Sequence, residues 1–290
     1  MTPSALVKVR HRTTYRYDQL VSLLPHRLML RPREGPNIQI ISMDLKVTPE
    51  ASVTWSWDVF GNSIATATPQ FMARTLLIES TVELGLSSAA YPVFDIAPSA
   101  VFYPFRYTDD EWTDLGALAV QQYPDPGFRL KNWTLNFVRG SPTDTLALLK
   151  DLNAGISSFI SYQSRDEEGT QSPLYTLDRT WGSCRDIALL FVEAARSLGF
   201  GARLVSGYLH DPERPITGSG GTGTTHAWAE VYVPGPGWIA FDPTHRRVGS
   251  FNLIPVAVGR DIRQIMPVAG SFIGMSYAFQ DMRVEVCITG

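Results

Sequence analysis

The 290-residue chain reads as an α+β protein: an N-terminal antiparallel β-sandwich, then a domain whose cysteine-bearing helix packs on an antiparallel sheet. Three observations predict this. The first 85 residues alternate polar and apolar with a period of two and hold no helical run. An apolar pattern of helical period opens directly on "WGSCRD" at 181–186. Strand-like runs then follow that helix, separated by turn residues.

Taken in order, "LVKVRHRTTYRYD" sets Val7, Val9, His11, Thr13, Tyr15 and Tyr17 against Lys8, Arg10, Arg12, Thr14 and Arg16. Residues 38–47, 53–61, 63–68 and 75–84 add strands, with Asp58, Gly61 and Asn62 as turn chemistry between two of them. Residues 85–110 carry Pro92, Pro98 and Pro104 without periodicity and read as a connection. Helices are expected at 109–123 and 143–162. The second has Thr143 as N-cap and a stripe of Leu148, Leu152, Ile156, Phe159 and Ile160. A polar segment, 163–173, precedes the "WGSCRD" helix. There Ile187, Leu190, Phe191, Ala194, Ala195 and Leu198 share one face, and Gly199 stops it. Strands are expected at 202–209, 225–233, 237–242 and 282–288. The division that results is a β-rich domain at 1–90, a connection and helix at 91–140, and a second domain at 141–290.

Composition narrows the function. A hydrophobic fraction of 44% supports full cores, and a net charge of −3 leaves no basic footprint for nucleic acid. Residues 1–20 lack the continuous apolar region of a secretory signal, and no run is long enough to span a membrane. Cys184 and Cys287 form neither a disulfide framework nor a zinc ribbon, so a reducing cytoplasm is the expected location.

Cys184 is the residue that asks for an explanation. Ser183 and Asp186 fit S-x-x-D, which makes Ser183 the N-cap and puts Cys184 at the first helical position. Unpaired N–H groups and the helix dipole there favour a thiolate over a thiol. Asp186 works against this, since one carboxylate disfavours a second anion nearby. Cys287, in a short apolar strand, fits ordinary packing.

A nucleophilic thiol needs a base, and the base needs a group to orient it. In "THAWAEVYV", His226, Trp228 and Glu230 share one strand face, while Ala227, Ala229, Val231 and Val233 form a small apolar face suited to a helix. In "GWIAFD", Asp242 shares a face with Ala240 and Trp238. Pairing through the turn at 234–237 lets His226 and Asp242 project from the same side. Pro234 and Pro236 leave the register open.

These blocks, "WGSCRDIALLFVEAARSLGFGARLVSGYL" (181–209), "HAWAEVYVPGPGW" (226–238) and "FDPTH" (241–245), resemble the transglutaminase-like superfamily of papain-like cysteine enzymes. The resemblance covers residues 140–250, and the N-terminal region is similar to the β-rich region found before this domain in bacterial members. It implies a papain-like domain with Cys184, His226 and Asp242 as a catalytic set. The implied reaction is acyl transfer at an amide through a thioester, ending in hydrolysis or in transamidation by an amine. The implied partner is a peptide, a protein or a small amide. No metal or organic cofactor is required by this chemistry. The oxyanion needs donors: the Cys184 backbone N–H, with Gln163, Tyr162 and Trp181 as side-chain candidates.

Other readings stand beside this one. The G-x-G-G-x-G within 217–226 lacks the Lys-Ser/Thr ending of a phosphate loop and leads into a strand, so a flap over the cleft is expected instead. A metal hydrolase built on His210, Asp211, His226, Asp242 and His245 lacks known ligand spacing. A non-catalytic binding module would use exposed aromatics, but Trp55, Trp57, Trp112 and Trp133 are expected in cores.

Overall fold

A computed structural model describes residues 5–87, 92–165, 167, 169–210, 223–275 and 277–290. Six strands open the chain: β1 (Ala5–Leu23), β2 (His26–Leu28), β3 (Ile38–Thr48), β4 (Ala51–Trp57), β5 (Ser63–Pro69) and β6 (Ala73–Leu86). They form two antiparallel sheets. In one, β1 pairs with β6 and β6 with β3; in the other, β2 pairs with β5 and β5 with β4. Tyr17, Val21, Leu28, Ala65, Ala67, Leu76 and Ile78 fill the space between the sheets, as a sandwich requires.

The alternation read in β1 serves two cores. Its C-terminal half faces the other sheet, whereas Val7 and Val9, with Val82 and Leu84 of β6, pack into the core of the second half of the chain. His11 sits at this junction, 1% exposed. Its Nε2 is 2.8 Å from Thr13 Oγ1 and its Nδ1 3.2 Å from the Tyr208 hydroxyl.

Among the described residues five α-helices follow: α1 (Asp109–Leu115), α2 (Arg129–Leu135), α3 (Thr145–Phe159), α4 (Pro173–Arg179) and α5 (Cys184–Ser197). The helix expected at 109–123 ends at Leu115, because Gly116 takes φ 46° and turns the chain. The helix expected at 143–162 is capped by Asp144 rather than Thr143, its Oδ1 accepting the Ala147 N–H at 2.7 Å. Phe159 leaves the apolar stripe for solvent, and Ile160 is buried beyond the helix end. Helix α5 begins at Cys184 as expected, and Gly199 follows it with φ 90°.

The second sheet-bearing unit is antiparallel, with strands β7 (Ala202–His210), β8 (Gly223–Val233), β9 (Gly237–Asp242) and β10 (Leu253–Gly259) in the order β9-β8-β7-β10. Helix α5 lies on the face made by Ala229, Val231, Val233, Ile239 and Phe241, and the Phe191 and Phe241 rings stack at 5.3 Å. Small side chains on β8 let the helix come close, as the alternation in "AWAEVYV" anticipates.

Residues 268–289 leave the second unit. Val268 and Phe272 pair with β2 and β1, and β11 (Phe279–Thr289) runs antiparallel to β1 from Lys8 to Tyr17. These C-terminal residues thus complete the sheets of the first six strands. Ile288 lies against Gly223, so a side chain at the start of β8 would collide with it.

Trp55, Trp57 and Trp112 are 45%, 72% and 50% exposed, against the expectation that they lie in cores; Trp133 is packed on the main core. Trp55 and Trp57 lie on β4, the edge of its sheet, where one face has no covering layer. The expected flap at 217–222 lies outside the described residues, as does Asp211. No described helix is long and apolar enough to cross a membrane.

Candidate active site

Local rules place Cys184. A two-residue parallel ribbon, Ser161–Tyr162 against Trp181–Gly182, delivers the chain to Ser183, and the Gln163 N–H donates to the Gly182 carbonyl at 2.9 Å. Ser183 is extended at φ −79° and ψ 172°, and α5 starts at the next residue. Gly182 lets the Asp186 side chain close over this turn: a Cβ at 182 would lie 2.9 Å from Asp186 Cβ. Asp186 Oδ2 accepts both the Ser183 N–H (2.9 Å) and the Ser183 hydroxyl (2.7 Å).

The opposition between Asp186 and a thiolate is largely removed by Arg165. The guanidinium gives Nη2 to Oδ1 at 2.9 Å and Nε to Oδ2 at 3.2 Å, and the Gln171 N–H adds a bond of 2.7 Å to Oδ1. Burial alone would raise the Asp186 pKa, but Arg165 and these donors hold it below its ordinary value. The carboxylate next to Cys184 is thus paired with a guanidinium.

His226 is set by β8. It stands opposite Gly207 of β7, and its ring lies over Trp228, centroids 6.0 Å apart and 25° between planes. No bulge interrupts the pairing of β8 with β9, despite Pro234 and Pro236: Val233 faces Gly237 and Ala229 faces Phe241. Asp242 therefore comes level with Trp228 and lies diagonal to His226, within cross-strand reach. Its Oδ2 is 2.9 Å from His226 Nε2, and both residues are buried.

The three residues that the sequence singled out come together. Cys184 lies near enough to His226 and to the Ala227 backbone N–H for both to favour its anion. With Nε2 committed to Asp242, Nδ1 is the His226 nitrogen left for sulfur. Burial pushes the Cys184 thiol up, but His226, the Ala227 N–H and Arg185 outweigh it, and the net pKa is lowered. For His226 burial likewise opposes the charged ring, and Asp242 with Cys184 reverses this, raising it to about 10. Burial also opposes the charge on Asp242, yet His226 and His245 overcome it and hold the carboxyl well below the carboxylate range. The directions agree on one arrangement: thiolate, imidazolium and carboxylate in a row.

All three oxyanion candidates lie on or beside the ribbon that leads into α5. Tyr162 is the one with an electrostatic link to Cys184: burial and the nearby sulfur raise its phenol pKa, and Ser164 hydrogen-bonds it. Gln163 follows it just past the strand end, and Trp181 lies on the other strand, paired with Ser161.

His245 enters the site in a role that spacing did not assign. Its Nδ1 is 2.9 Å from Asp242 Oδ2, and its ring stands 5.0 Å from the His226 ring at 66°. His226, Asp242 and His245 present ligand atoms within 4.8 Å of one another, which is the metal reading reduced to three residues without His210. Both nitrogens approach one oxygen at 2.9 Å, the separation of N–H donors from an acceptor. The signal for His245 was present in "DPTH": a histidine three residues after the aspartate, across a proline turn. Arg165 gave no such signal, because its partner lies 21 residues away across a polar loop.

Known proteins resemble this chain in sequence and in fold. Residues 131–243 match the transglutaminase-like superfamily, and residues 7–84 match the bacterial transglutaminase-like N-terminal region. An uncharacterized protein of Mycobacterium leprae is 35% identical over 97% of this chain and 98% of its own length. An uncharacterized protein of Mycobacterium tuberculosis is 28% identical over 91% of this chain and 86% of its own. A crystal structure from Cytophaga hutchinsonii, of a protein proposed to be a cysteine protease, superposes with a TM-score of 0.71 at 19% identity. It covers 100% of this chain and 92% of that one.

Proposed function

From the premise that the chain belongs to the transglutaminase-like superfamily, we propose that it is a cysteine-dependent acyl-transfer enzyme acting on amide bonds, with hydrolysis as its reaction. One observation carries the reading: His226, which lies beside Cys184 at the first turn of α5 and favours its anion, is held through Nε2 by buried Asp242 at 2.9 Å.

The Cys184 thiolate attacks the amide carbonyl carbon, forming a C–S bond and placing charge on the carbonyl oxygen. The backbone N–H of Cys184, unpaired within the helix by its position, faces that charge, with the Tyr162 hydroxyl as the side-chain donor. His226 gives its Nδ1 proton to the nitrogen as the C–N bond breaks, and the amine leaves. Water then attacks the thioester, His226 takes its proton, and the acid departs as the thiolate is restored. Asp242 keeps the ring oriented and its charge compensated throughout. An amine in place of water would give transamidation by the same steps.

The test is turnover of a peptide library by wild type and Cys184→Ala, with and without a primary amine. Products of cleavage are expected from the wild type alone. Equal turnover by both proteins removes Cys184 from the reaction, and amine-linked products in place of free acids move the assignment to transamidation.

A further inference from the structure

Asp242 accepts four hydrogen bonds. Oδ2 takes His226 Nε2 and His245 Nδ1, each at 2.9 Å, and Oδ1 takes the backbone N–H groups of Thr244 (3.1 Å) and His245 (3.3 Å). An ionised carboxylate can only accept, and it has about four lone-pair sites, so this one is full. Because Asp242 only accepts, His245 must carry its proton on Nδ1, leaving Nε2 toward the partly exposed side, where the side chain is 30% exposed. The charged groups gathered at this point are Asp242, His226 and Cys184, with Arg247 paired to Asp242 through the backbone.

We propose that His245 is a positioning residue of this site: by sharing Asp242 Oδ2 with His226, it locks the carboxylate plane in the orientation that holds the His226 ring toward Cys184. This rests on the reading of the site given above. Two backbone donors pin Oδ1 but lie close to the turn, and they leave rotation of the carboxylate free to tilt Oδ2 away from His226. The His245 Nδ1–H blocks that tilt from the second side. His245 bonds to Asp242, so its effect passes through Asp242 and His226.

The experiment follows alkylation of Cys184 by iodoacetamide across pH, quantified on the Cys184 peptide by mass spectrometry so that Cys287 does not contribute. Wild type, His245→Ala and His245→Asn are compared, with thermal melting of each and kcat and KM on the best library peptide. His245→Ala is expected to slow Cys184 alkylation below neutral pH by about tenfold, as loss of an outer hydrogen-bond partner typically does. The fall in kcat should be similar, with KM unchanged. His245→Asn, whose Nδ2–H takes the place of Nδ1–H, should recover most of both. A wild-type profile for a folded His245→Ala overturns the proposal, and so does a His245→Asn no better than alanine at equal melting temperature. If the alanine variant does not fold, His245→Gln replaces it, its donor displaced by one methylene, and the same two outcomes apply. A wild-type Cys184 that reacts as an ordinary thiol overturns the active-site reading itself, a result distinct from normal wild-type reactivity with an unaffected variant.

Discussion

Arg165 and Asp186 form an ion pair at the foot of α5 with Nη2 to Oδ1 at 2.9 Å, the carboxylate fully buried and the guanidinium side chain 10% exposed. Cutting away one partner of such a pair leaves an uncompensated buried charge. Arg165→Met is therefore expected to cost about 3–5 kcal/mol in urea unfolding. It should also slow Cys184 alkylation, because the Asp186 charge then reaches the thiolate. The double variant Arg165→Met/Asp186→Asn should regain part of both; no recovery of either quantity would show that the pair acts independently of charge.

The row formed by Cys184, His226 and Asp242 has a definite pH signature. Cys184 is lowered and His226 is raised to about 10, so the ion pair forms below the ordinary thiol range and persists until His226 loses its proton. Alkylation of Cys184 should therefore set in at a lower pH than that of a free thiol. Asp242→Asn removes the charge that sustains the imidazolium. It should lower kcat on the order of 10³–10⁴-fold while the protein stays folded. A pH profile with the midpoint of an unperturbed cysteine in the wild type would contradict the ion pair.

Stability should depend on pH in two separate windows. His11 is buried and neutral, its pKa lowered from 6.5 to about 4 by desolvation, so between those values the unfolded chain binds more protons than the folded one. Stability then falls as pH drops from about 6.5 to 4, by roughly 3 kcal/mol, since each tenfold difference in proton affinity is worth about 1.4 kcal/mol. His226 has the opposite sign: its contribution is complete below 6.5 and is lost as pH rises toward about 10. Denaturant melts of wild type and His11→Gln across pH 4–10 check this. The acid slope should flatten in the variant while the alkaline slope remains.

Gly207 stands opposite His226, and a Cβ there would lie 2.8 Å from Trp228 Cη2 and collide with the Ile254 carbonyl. Gly207→Ala should cost about 1–3 kcal/mol, the usual range for overpacking. Because the displaced indole underlies the His226 ring, activity should drop even at temperatures where the variant remains folded. Intrinsic tryptophan fluorescence and turnover measured together test this, and a destabilised variant with unchanged kcat would separate Trp228 from the site.

Much of this architecture was legible in the sequence where a single local rule decided the outcome. The period of two in β1, the apolar face of β8 and the start of α5 at Cys184 follow from side-chain alternation and helix capping, and the structure places them as read. Errors arose where local signals competed. Gly116 cut a good amphipathic pattern at Leu115, and Asp144 displaced Thr143 as the cap, one residue along. β10 went unread because Pro255 sits inside it; its carbonyl accepts from Arg33, and its missing N–H costs no ladder bond where the register shifts. Long-range partners were beyond reach: nothing in "QSRDEEGTQSP" says that Arg165 meets Asp186, and nothing in the tail says that β11 returns to β1. For the site, residue type and order were enough to name Cys184, His226 and Asp242. The second hydrogen bond on Asp242 Oδ2 needed the turn geometry of residues 242–245.

The pairing of β11 with β1 also has a consequence in time. Residues 279–289 are translated some 260 positions after the edge of β1 that they cover, so a growing chain carries that edge uncapped until they have been made. The same late strand brings Ile288 against Gly223, three residues before His226. One strand thus covers the edge of β1 and packs beside the start of the strand that carries His226.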